Sequence, residues 1–269
     1  MKTRIISGAV GIAILAVLLY LHSTIVFNIA LALAGTLMLY ELARAEKLEK
    51  EYALIAVGSL FTASCPILVR FFDGAGLYIA VAFAYIVICQ TILLLRHKHI
   101  ELGRFFITEV YSLLIAAAMT SLALLAKPEG AVGILRPIYV FMGAWVADTG
   151  AYFAGTFFGK HKLCPEISPK KTVEGLIGGA VANAVVFALI PVILNDRDTP
   201  LYVGCSIFAV IGIFCSLLGL LGDLTASLIK RDAGIKDYGN IMPGHGGAMD
   251  RFDSIVFIAP FLLLVIGGV

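Results

Sequence analysis

The chain has 269 residues, of which 60% are hydrophobic and 14% are charged, and its formal net charge is +2. Soluble domains carry roughly 45–50% apolar and about 25% charged residues. This composition excludes a soluble globular enzyme, a disordered chain and a disulfide scaffold, and it indicates an integral membrane protein with several spans. The small net charge gives no sign of a nucleic-acid partner, and none is expected.

Nine apolar runs are long enough to predict membrane-spanning helices. They cover about residues 5–21, 24–43, 52–70, 76–95, 105–126, 134–158, 174–194, 202–229 and 253–268. Sixteen of the 20 Lys and Arg residues fall on the side of the N-terminus, and the other side holds Arg70, Lys127, Arg136 and Arg197. By the positive-inside rule, this split predicts an all-α polytopic membrane protein with a cytosolic N-terminus and the C-terminus outside.

The polar residues divide the chain into two predicted regions. Residues 1–130 hold about five spans with few polar groups, which is typical of a scaffold. Residues 131–269 hold about four spans and nearly all the polar groups within the runs. Only the connections at about 159–173 and 230–252 have room for chemistry, and both fall on the cytosolic side. The active site is therefore expected in the second region.

The eighth run carries a polar stripe on an apolar helix. Asp223, Ser227, Lys230 and Arg231 stand at i, i+4, i+7 and i+8, which places them on one helical face. Asp223 lies about 12 Å along the axis from Arg231. A carboxylate at that depth costs about 2.5–3.5 kcal/mol, so it needs a cation, a proton or a hydrated cavity. The stripe indicates an anion-binding site, and a structural pair of Asp223 with a Lys or Arg is the alternative.

The connection that follows is rich in glycine. Gly239, Gly244, Gly246 and Gly247 permit close approach of the backbone to a ligand, and successive amides in such a loop can bind an anion. The chain has no Walker-type GxxxxGK[ST] motif. The loop is therefore a candidate phosphate-binding segment of another kind.

Two carboxylates stand where this loop enters the ninth run. Asp250 and Asp253, at i and i+3, are expected to face one site, where they could bridge Mg²⁺ to phosphate oxygens. Arg251 can bind a phosphate through two hydrogen bonds. An ordinary polar turn with Asp at a helix start is the alternative. His245 is either a phosphate donor, an acid or base, or an ordinary loop residue.

Two further segments carry candidate site residues. In the sixth run, Asp148 shares a face with Tyr152, and it faces either a hydrated cavity or a polar contact between helices. Ser168 followed by proline predicts an N-cap, which would place Lys170 and Lys171 in the first turn of the seventh helix. There the lysines bind either a polyphosphate or lipid headgroups.

These residues together resemble a known family signature. The pattern reads Ser227-x2-Lys230-Arg231-x4-Lys236-Asp237-x-Gly239-x3-Pro243-x-His245-Gly246-Gly247-x2-Asp250-Arg251-x-Asp253. It resembles the signature of the phosphatidate cytidylyltransferase (CDP-diacylglycerol synthase) family, as do the segments around Asp148 and Lys170. The resemblance extends over roughly the last 125 residues.

The resemblance implies transfer of a cytidylyl group from CTP to phosphatidate for phospholipid biosynthesis, with release of pyrophosphate. It also implies Mg²⁺, a second, monovalent cation and a homodimer in a lipid bilayer, which we expect to be a bacterial plasma (inner) membrane with the site facing the cytoplasm. Our hypothesis gives metal roles to four aspartates, namely Asp148, Asp223, Asp250 and Asp253. Charge stabilisation falls to Lys230, Arg231 and Arg251. Substrate-binding roles fall to Tyr152, Ser168, Lys170, Lys171, Ser227, Lys236, Asp237, His245, Gly246 and Gly247.

Three other functions compete with this one. An ion-coupled transporter of an anionic substrate would use Asp148 and Asp223 as a relay, but the chain shows no internal repeat. A CTP-dependent polyprenol kinase would release CDP rather than pyrophosphate. A CDP-alcohol phosphatidyltransferase requires a DGx2AR…Gx3Dx3D spacing that the chain does not contain.

Overall fold

The computed structural model describes residues 2–127, 130–194, 201–241 and 246–267. Their helices are α1 (Lys2–Tyr20), α2 (Ile25–Ala45), α3 (Tyr52–Leu68), α4 (Ala75–Arg96), α5 (Leu102–Leu125), α6 (Ala131–Phe158), α7 (Val173–Ala188), α8 (Ile190–Leu194), α9 (Leu201–Asp232), α10 (Met249–Phe252) and α11 (Ile255–Ile266). Two short strands, β1 (Lys162–Cys164) and β2 (Ser168–Thr172), pair between α6 and α7.

Six helical segments are long and apolar enough to cross a membrane. They are α2, α4, α5, α6, the α7–α8 segment and α9, and the shorter apolar helices are α1, α3 and α11. This assignment rests on length and composition. The predicted all-α polytopic membrane fold is therefore confirmed, whereas nine crossings and the sides of the two termini stay predictions.

The chain forms two compact units. The first comprises Met1–Pro137, Lys230–Phe252 and Leu262–Val269, and the second comprises Ile138–Ile229 and Asp253–Phe261. The expected roles of residues 1–130 as a scaffold and of residues 131–269 as the region with the active site stay predictions.

The first unit is built around α2, α3 and α5. Its core includes Phe61 and Tyr85, whose rings stack with centroids 4.2 Å apart. The buried Asn28 amide of α2 donates to the Pro66 carbonyl at 2.7 Å. That carbonyl lies in the last turn of α3, where no intrahelical donor remains. Asn28, a polar residue of the apolar helix α2, therefore provides a hydrogen-bond donor for a carbonyl group at the end of α3.

The second unit depends on close helix packing at glycines. A Cβ added at Gly178 of α7 would lie 2.2 Å from the Ala154 Cβ of α6, and one at Gly179 would lie 2.7 Å from the Ala147 carbonyl oxygen. Small residues allow such approach between membrane helices, where packing rather than hydrophobic burial drives association. These contacts assign Gly178 and Gly179 to close helix packing.

The prediction for Ser168 and its proline is wrong. Residues 168–172 form β2, antiparallel to β1, with Cys164 opposite Ser168 and Lys162 opposite Thr172. Helix α7 begins at Val173, and the N-cap is Thr172, whose Oγ1 accepts from the Gly175 amide at 3.1 Å. Pairing with β1 satisfies backbone N–H and C=O groups of residues 168–172, which in a helix would bond within the helix. Lys170 and Lys171 therefore lie on a strand.

The glycine contact between α6 and α7 leads to a stability prediction. Gly178→Ala should destabilise the protein by about 1–3 kcal/mol, because the added methyl overlaps a backbone-attached carbon that cannot rotate away. Gly103→Ala is the matched control, since nothing lies within 4 Å of a Cβ added there. Thermal unfolding in detergent compares the two variants, and equal midpoints would contradict the packing argument.

Glu46, at the C-terminal end of α2, carries a buried carboxylate that is incompletely hydrogen-bonded. Its side chain is buried at 3% exposure, and its Oε1 atom has no hydrogen-bond partner among the described residues. Burial raises the pKa of Glu46 above its ordinary 4.5, the nearby Asp232 raises the pKa further, and Arg104 opposes the shift. The folded protein therefore binds the Glu46 proton more tightly than the unfolded chain does.

This shift gives a pH dependence of stability. The Glu46 penalty is absent below pH 4.5 and appears as the pH rises through the raised folded-state pKa. Glu46→Gln should therefore raise the unfolding midpoint relative to the unmodified protein at about pH 8 and change it less at about pH 5. Glu49→Gln, at an exposed position, is the control. A difference that is constant with pH would reject the assignment.

Candidate active site

A cavity of about 460 Å³ in the second unit brings together residues from three separate predicted segments. Asp148 and Tyr152 of α6, Lys170 and Lys171 of β2, and Asp223 of α9 all line it. Hydroxyl groups complete the polar lining, and they belong to Thr156, Thr172, Ser216 and Ser254. Two carboxylates and two ammonium groups therefore face one space between apolar helices.

Asp223 is held by two contacts in this cavity. Its Oδ2 forms an ion pair with Lys171 Nζ, and its Oδ1 accepts from Ser227 Oγ at 3.3 Å. The two charged side chains are 28% and 23% exposed, so both remain reachable from the cavity. The ion pair matches the alternative that paired Asp223 with a lysine, although that lysine lies on a strand. Such a pair can exchange partners when an anion or a cation enters.

The hairpin that carries the lysines is fixed at its base. The Glu174 carboxylate accepts from the His161 backbone N–H at 3.2 and 3.3 Å, and it pairs with the His161 ring Nδ1 at 2.6 Å. Glycine packing positions the other strand, because a Cβ at Gly155 or Gly175 would lie within about 3 Å of Thr172 Oγ1. These contacts hold the strand of Lys170 and Lys171 against the cavity.

The donor set of the cavity fits a magnesium ion that is shared with substrate. Mg²⁺ is usually bound by one or two carboxylates together with waters and phosphate oxygens, rather than by a cage of protein ligands. Asp148 and Asp223 offer two carboxylates to one cavity. Within the described ranges, no three His, Cys, Asp or Glu side chains converge as a metal cage. The lining suits an ion that arrives with a phosphate.

A second polar cluster lies in the first unit and centres on Asp250 of α10. Its Oδ1 accepts from Lys230 Nζ at 2.7 Å, and its Oδ2 accepts from the amides of Tyr238 and Gly247 at 2.8 and 3.0 Å. Lys230 also lies 5.4 Å from the Tyr238 ring centroid, which is a cation–π contact. Gly246 has a φ of +89°, a conformation that favours glycine.

The remaining predicted residues are distributed around these two clusters. Exposed side chains in the first unit belong to Arg231, Lys236, Asp237 and Arg251. Asp253 lies in the turn between α10 and α11, where its Oδ1 accepts from the Ser254 amide at 2.7 Å. Ser168 is partly buried in β2. His245 lies outside the described residues, and the assigned roles of all these side chains stay predictions.

Glu41 and His161 were missed from the sequence as contributors. Glu41 contacts the glycine-rich loop across more than 200 residues, and His161 and Glu174 close the hairpin. Glu41 carried a usable signal, because it is the only acidic residue in the second apolar run. His161 carried none, since a histidine in a basic loop resembles any interfacial residue.

The Lys230–Asp250 pair should couple strongly in stability. The two side chains are 13% and 4% exposed, and removing one partner leaves a buried charge at a cost of about 3–5 kcal/mol. Lys230→Met, Asp250→Asn and the double variant form a cycle whose coupling should be roughly 0.5–3 kcal/mol, measured by unfolding in detergent. The exposed Lys127–Asp73 pair is the control. Equal coupling in both pairs would contradict a buried role.

The chain is similar to known proteins along nearly its whole length. Residues 2–268 match the model of the family described as the Cytidylyltransferase family. Over 99% of its length, it is 34% identical to a Phosphatidate cytidylyltransferase of Bacillus subtilis (strain 168), of which 97% is covered. It is 32% identical to the protein of that name from Staphylococcus haemolyticus, with 99% of each chain covered. The resemblance is confirmed: the chain belongs to the cytidylyltransferase family and is a nucleotidyltransferase.

Proposed function

We propose that the protein transfers the cytidylyl group of CTP to phosphatidate with the help of Mg²⁺, giving CDP-diacylglycerol and pyrophosphate for phospholipid biosynthesis. An oxygen of the phosphatidate phosphate forms a bond to the α-phosphorus of CTP. The bond from that phosphorus to the bridging oxygen breaks, and its electron pair leaves with pyrophosphate. The names of the relatives support this choice of substrates.

The observation that carries the proposal is the charged cavity of the second unit. Asp148, Lys170, Lys171 and Asp223 line one space that is walled by long apolar helices. A reaction between a triphosphate and a lipid phosphate needs cations for the phosphates and carboxylates for a metal. It also needs both groups at the membrane, because phosphatidate carries acyl chains.

The lysines of β2 are suited to bind the triphosphate. Lys171 pairs with Asp223, so both charges are neutralised in the apolar surroundings. An entering phosphate group offers Lys171 another anion and leaves Asp223 available for a cation. Lys170, which is exposed on the same strand, adds a second positive charge. Both lysines would then stabilise the pyrophosphate as negative charge develops on it.

Asp148 and Asp223 are the side chains of this unit that would hold Mg²⁺, and the ion would reduce the charge repulsion between the two substrates. Asp250, in the first unit, already accepts three hydrogen bonds. The metal roles given to Asp250 and to Asp253, which belongs to the second unit, stay predictions. The phosphate nucleophile is anionic, so the reaction requires no general base. Positioning and charge neutralisation are the main contributions of the protein.

The outer face of α6 supports a lipid substrate. Trp145, Tyr152, Phe153 and Phe157 are exposed along the helix that also carries Asp148. Tyr and Trp favour the membrane interface, where an apolar body meets a polar headgroup region. We infer that the phosphatidate headgroup binds near Tyr152 and Asp148 while its acyl chains stay along this aromatic face.

Further expectations rest on the family resemblance alone. They are a homodimer and a second, monovalent cation, whereas a site that faces the cytoplasm is expected from the distribution of Lys and Arg. The bacterial sources of the relatives favour a plasma membrane. Each is a proposal that stands apart from the cavity.

Pyrophosphate release is the measurement that tests the proposed reaction. Detergent-purified protein should release pyrophosphate only when CTP, Mg²⁺ and phosphatidate are all present, and mass spectrometry should identify a CDP-lipid. Asp223→Asn should lower the turnover about 100-fold or more, because a neutral amide cannot supply the negative charge that binds Mg²⁺. Asp73→Asn is the control, since Asp73 is an exposed residue of the first unit.

The alternatives give different products. CDP formation with a polyprenol would indicate the lipid kinase, and flux into vesicles without nucleotide consumption would indicate the transporter. Full turnover in the Asp223→Asn variant would reject the metal role of Asp223 while leaving the reaction itself established. Circular dichroism and the elution volume of the variant must match those of the unmodified protein.

A further inference from the structure

Glu41 is a buried carboxylate whose contacts no step of the proposed reaction uses. It lies in the last turns of α2 at 4% exposure, far in sequence from the glycine-rich loop. Its Oε1 accepts from the Ala248 amide at 3.1 Å, and its Oε2 accepts from the Met249 amide at 2.8 Å. One side chain therefore satisfies two successive backbone donors where the loop enters α10.

The loop backbone packs against this carboxylate from two directions. A Cβ added at Gly239 would lie 2.1 Å from Glu41 Oε1, and one added at Gly247 would lie 2.3 Å from Glu41 Oε2. Neither glycine has a positive φ, so the space taken by Glu41, rather than backbone conformation, excludes a side chain there. A side chain at either position would displace the Glu41 carboxylate from these contacts, whether or not a ligand approaches the loop.

Glu41 and Asp250 together fix three consecutive amides. Gly247 donates to Asp250 Oδ2, and the next two residues donate to Glu41. Asp250 in turn receives the Lys230 ammonium group at 2.7 Å. A shift of the loop at Gly247 would therefore move Asp250, the partner of Lys230. Glu41 acts on this pair only through the backbone, because its own hydrogen bonds go to the amides of residues 248 and 249.

We propose that Glu41 is a positioning residue for the nucleotidyl transfer. It holds the amides of Ala248 and Met249 and packs against Gly239 and Gly247, so that Asp250 and Lys230 keep the arrangement seen in the first unit. This inference rests on the proposed function, because it assumes that the loop takes part in that reaction. It also assigns a task in catalysis to a helix of the N-terminal region, which the sequence indicated only as scaffold.

The first test is Glu41→Gln. The glutamine oxygen can accept one amide, but its NH₂ group opposes the other, so the loop should loosen without a change in side-chain volume. We expect kcat to fall roughly ten- to hundredfold, since a small misplacement of reacting groups has a cost of this order. The KM for CTP and for phosphatidate should change by less than about threefold, because Glu41 contacts no substrate.

Hydrogen–deuterium exchange gives a readout that is independent of turnover. Exchange in the peptide covering residues 246–252 should rise in Glu41→Gln, while peptides of α4 and α5 should stay unchanged. Glu49→Gln, an exposed acid just after α2, is the control and should alter neither exchange nor kcat. Unchanged exchange in the Glu41 variant, or a loss of activity that lies entirely in KM, would overturn the proposal.

A double-variant experiment keeps the proposal testable if Glu41→Gln folds poorly. In the protein that retains Glu41, Gly247→Ala should lower kcat strongly, because the added methyl group overlaps the Glu41 carboxylate. In a Glu41→Ala background, the same methyl finds space, and the Gly247→Ala substitution should have little further effect. Gly103→Ala controls for the gain of a methyl at an open helical position. Additive effects of the two substitutions would overturn the proposal.

These results are distinguishable from failure of the proposed function. If the unmodified protein releases no pyrophosphate, the reaction is wrong, and the exchange experiment still decides whether Glu41 holds the loop. If the unmodified protein is active but the Glu41 and Gly247 effects are additive, the reaction stands and the positioning role is wrong.

Discussion

The cost of placing a carboxylate among apolar helices governs the arrangement of this molecule. An uncompensated charge there costs at least about 2.5–3.5 kcal/mol, so each acid needs donors close by. Asp223 has Lys171, Asp250 has Lys230, Glu41 has two backbone amides, and Glu109 accepts from the Gln90 amide at 2.9 and 3.1 Å. The hairpin and the glycine-rich loop deliver two of these sets of donors. Segments without a regular sequence pattern therefore supply the hydrogen-bond donors and cations that the carboxylates of the helices need.

The helices themselves follow from local information. An apolar run long enough to span a bilayer must satisfy its backbone internally, so hydropathy alone indicated helices near their observed bounds. The close packing at Gly178 fits the same kind of reasoning, because paired small residues in an apolar run permit close approach of helices, although its partner Ala154 is known only from the structure. The pairing of polar residues along α9 was also local, since Ser227 stands one turn after Asp223 and contacts it. Periodicity was sufficient for each of these predictions.

The hairpin and the partner of Glu41 were not accessible in the same way. Strands of three and five residues show no clear alternation, and Ser168 followed by proline fits a helix start as well as a strand. What decides between them is Thr172, whose hydroxyl caps α7 while the preceding residues pair with β1. The bond from Met249 to Glu41 joins residues 208 positions apart, and no local pattern encodes such a contact. Tertiary geometry supplied both features.

Glycine content in a loop therefore carries two meanings that the sequence alone does not separate. A glycine is needed where φ is positive, as at Gly246, and it is also needed where another group occupies the place of a Cβ, as at Gly247. A phosphate and the carboxylate of Glu41 impose the same requirement on the backbone. Because Glu41 already accounts for Gly239 and Gly247, these glycines are not by themselves evidence of a nucleotide contact. The case for phosphate binding rests instead on the lysines and carboxylates that line the cavity of the second unit.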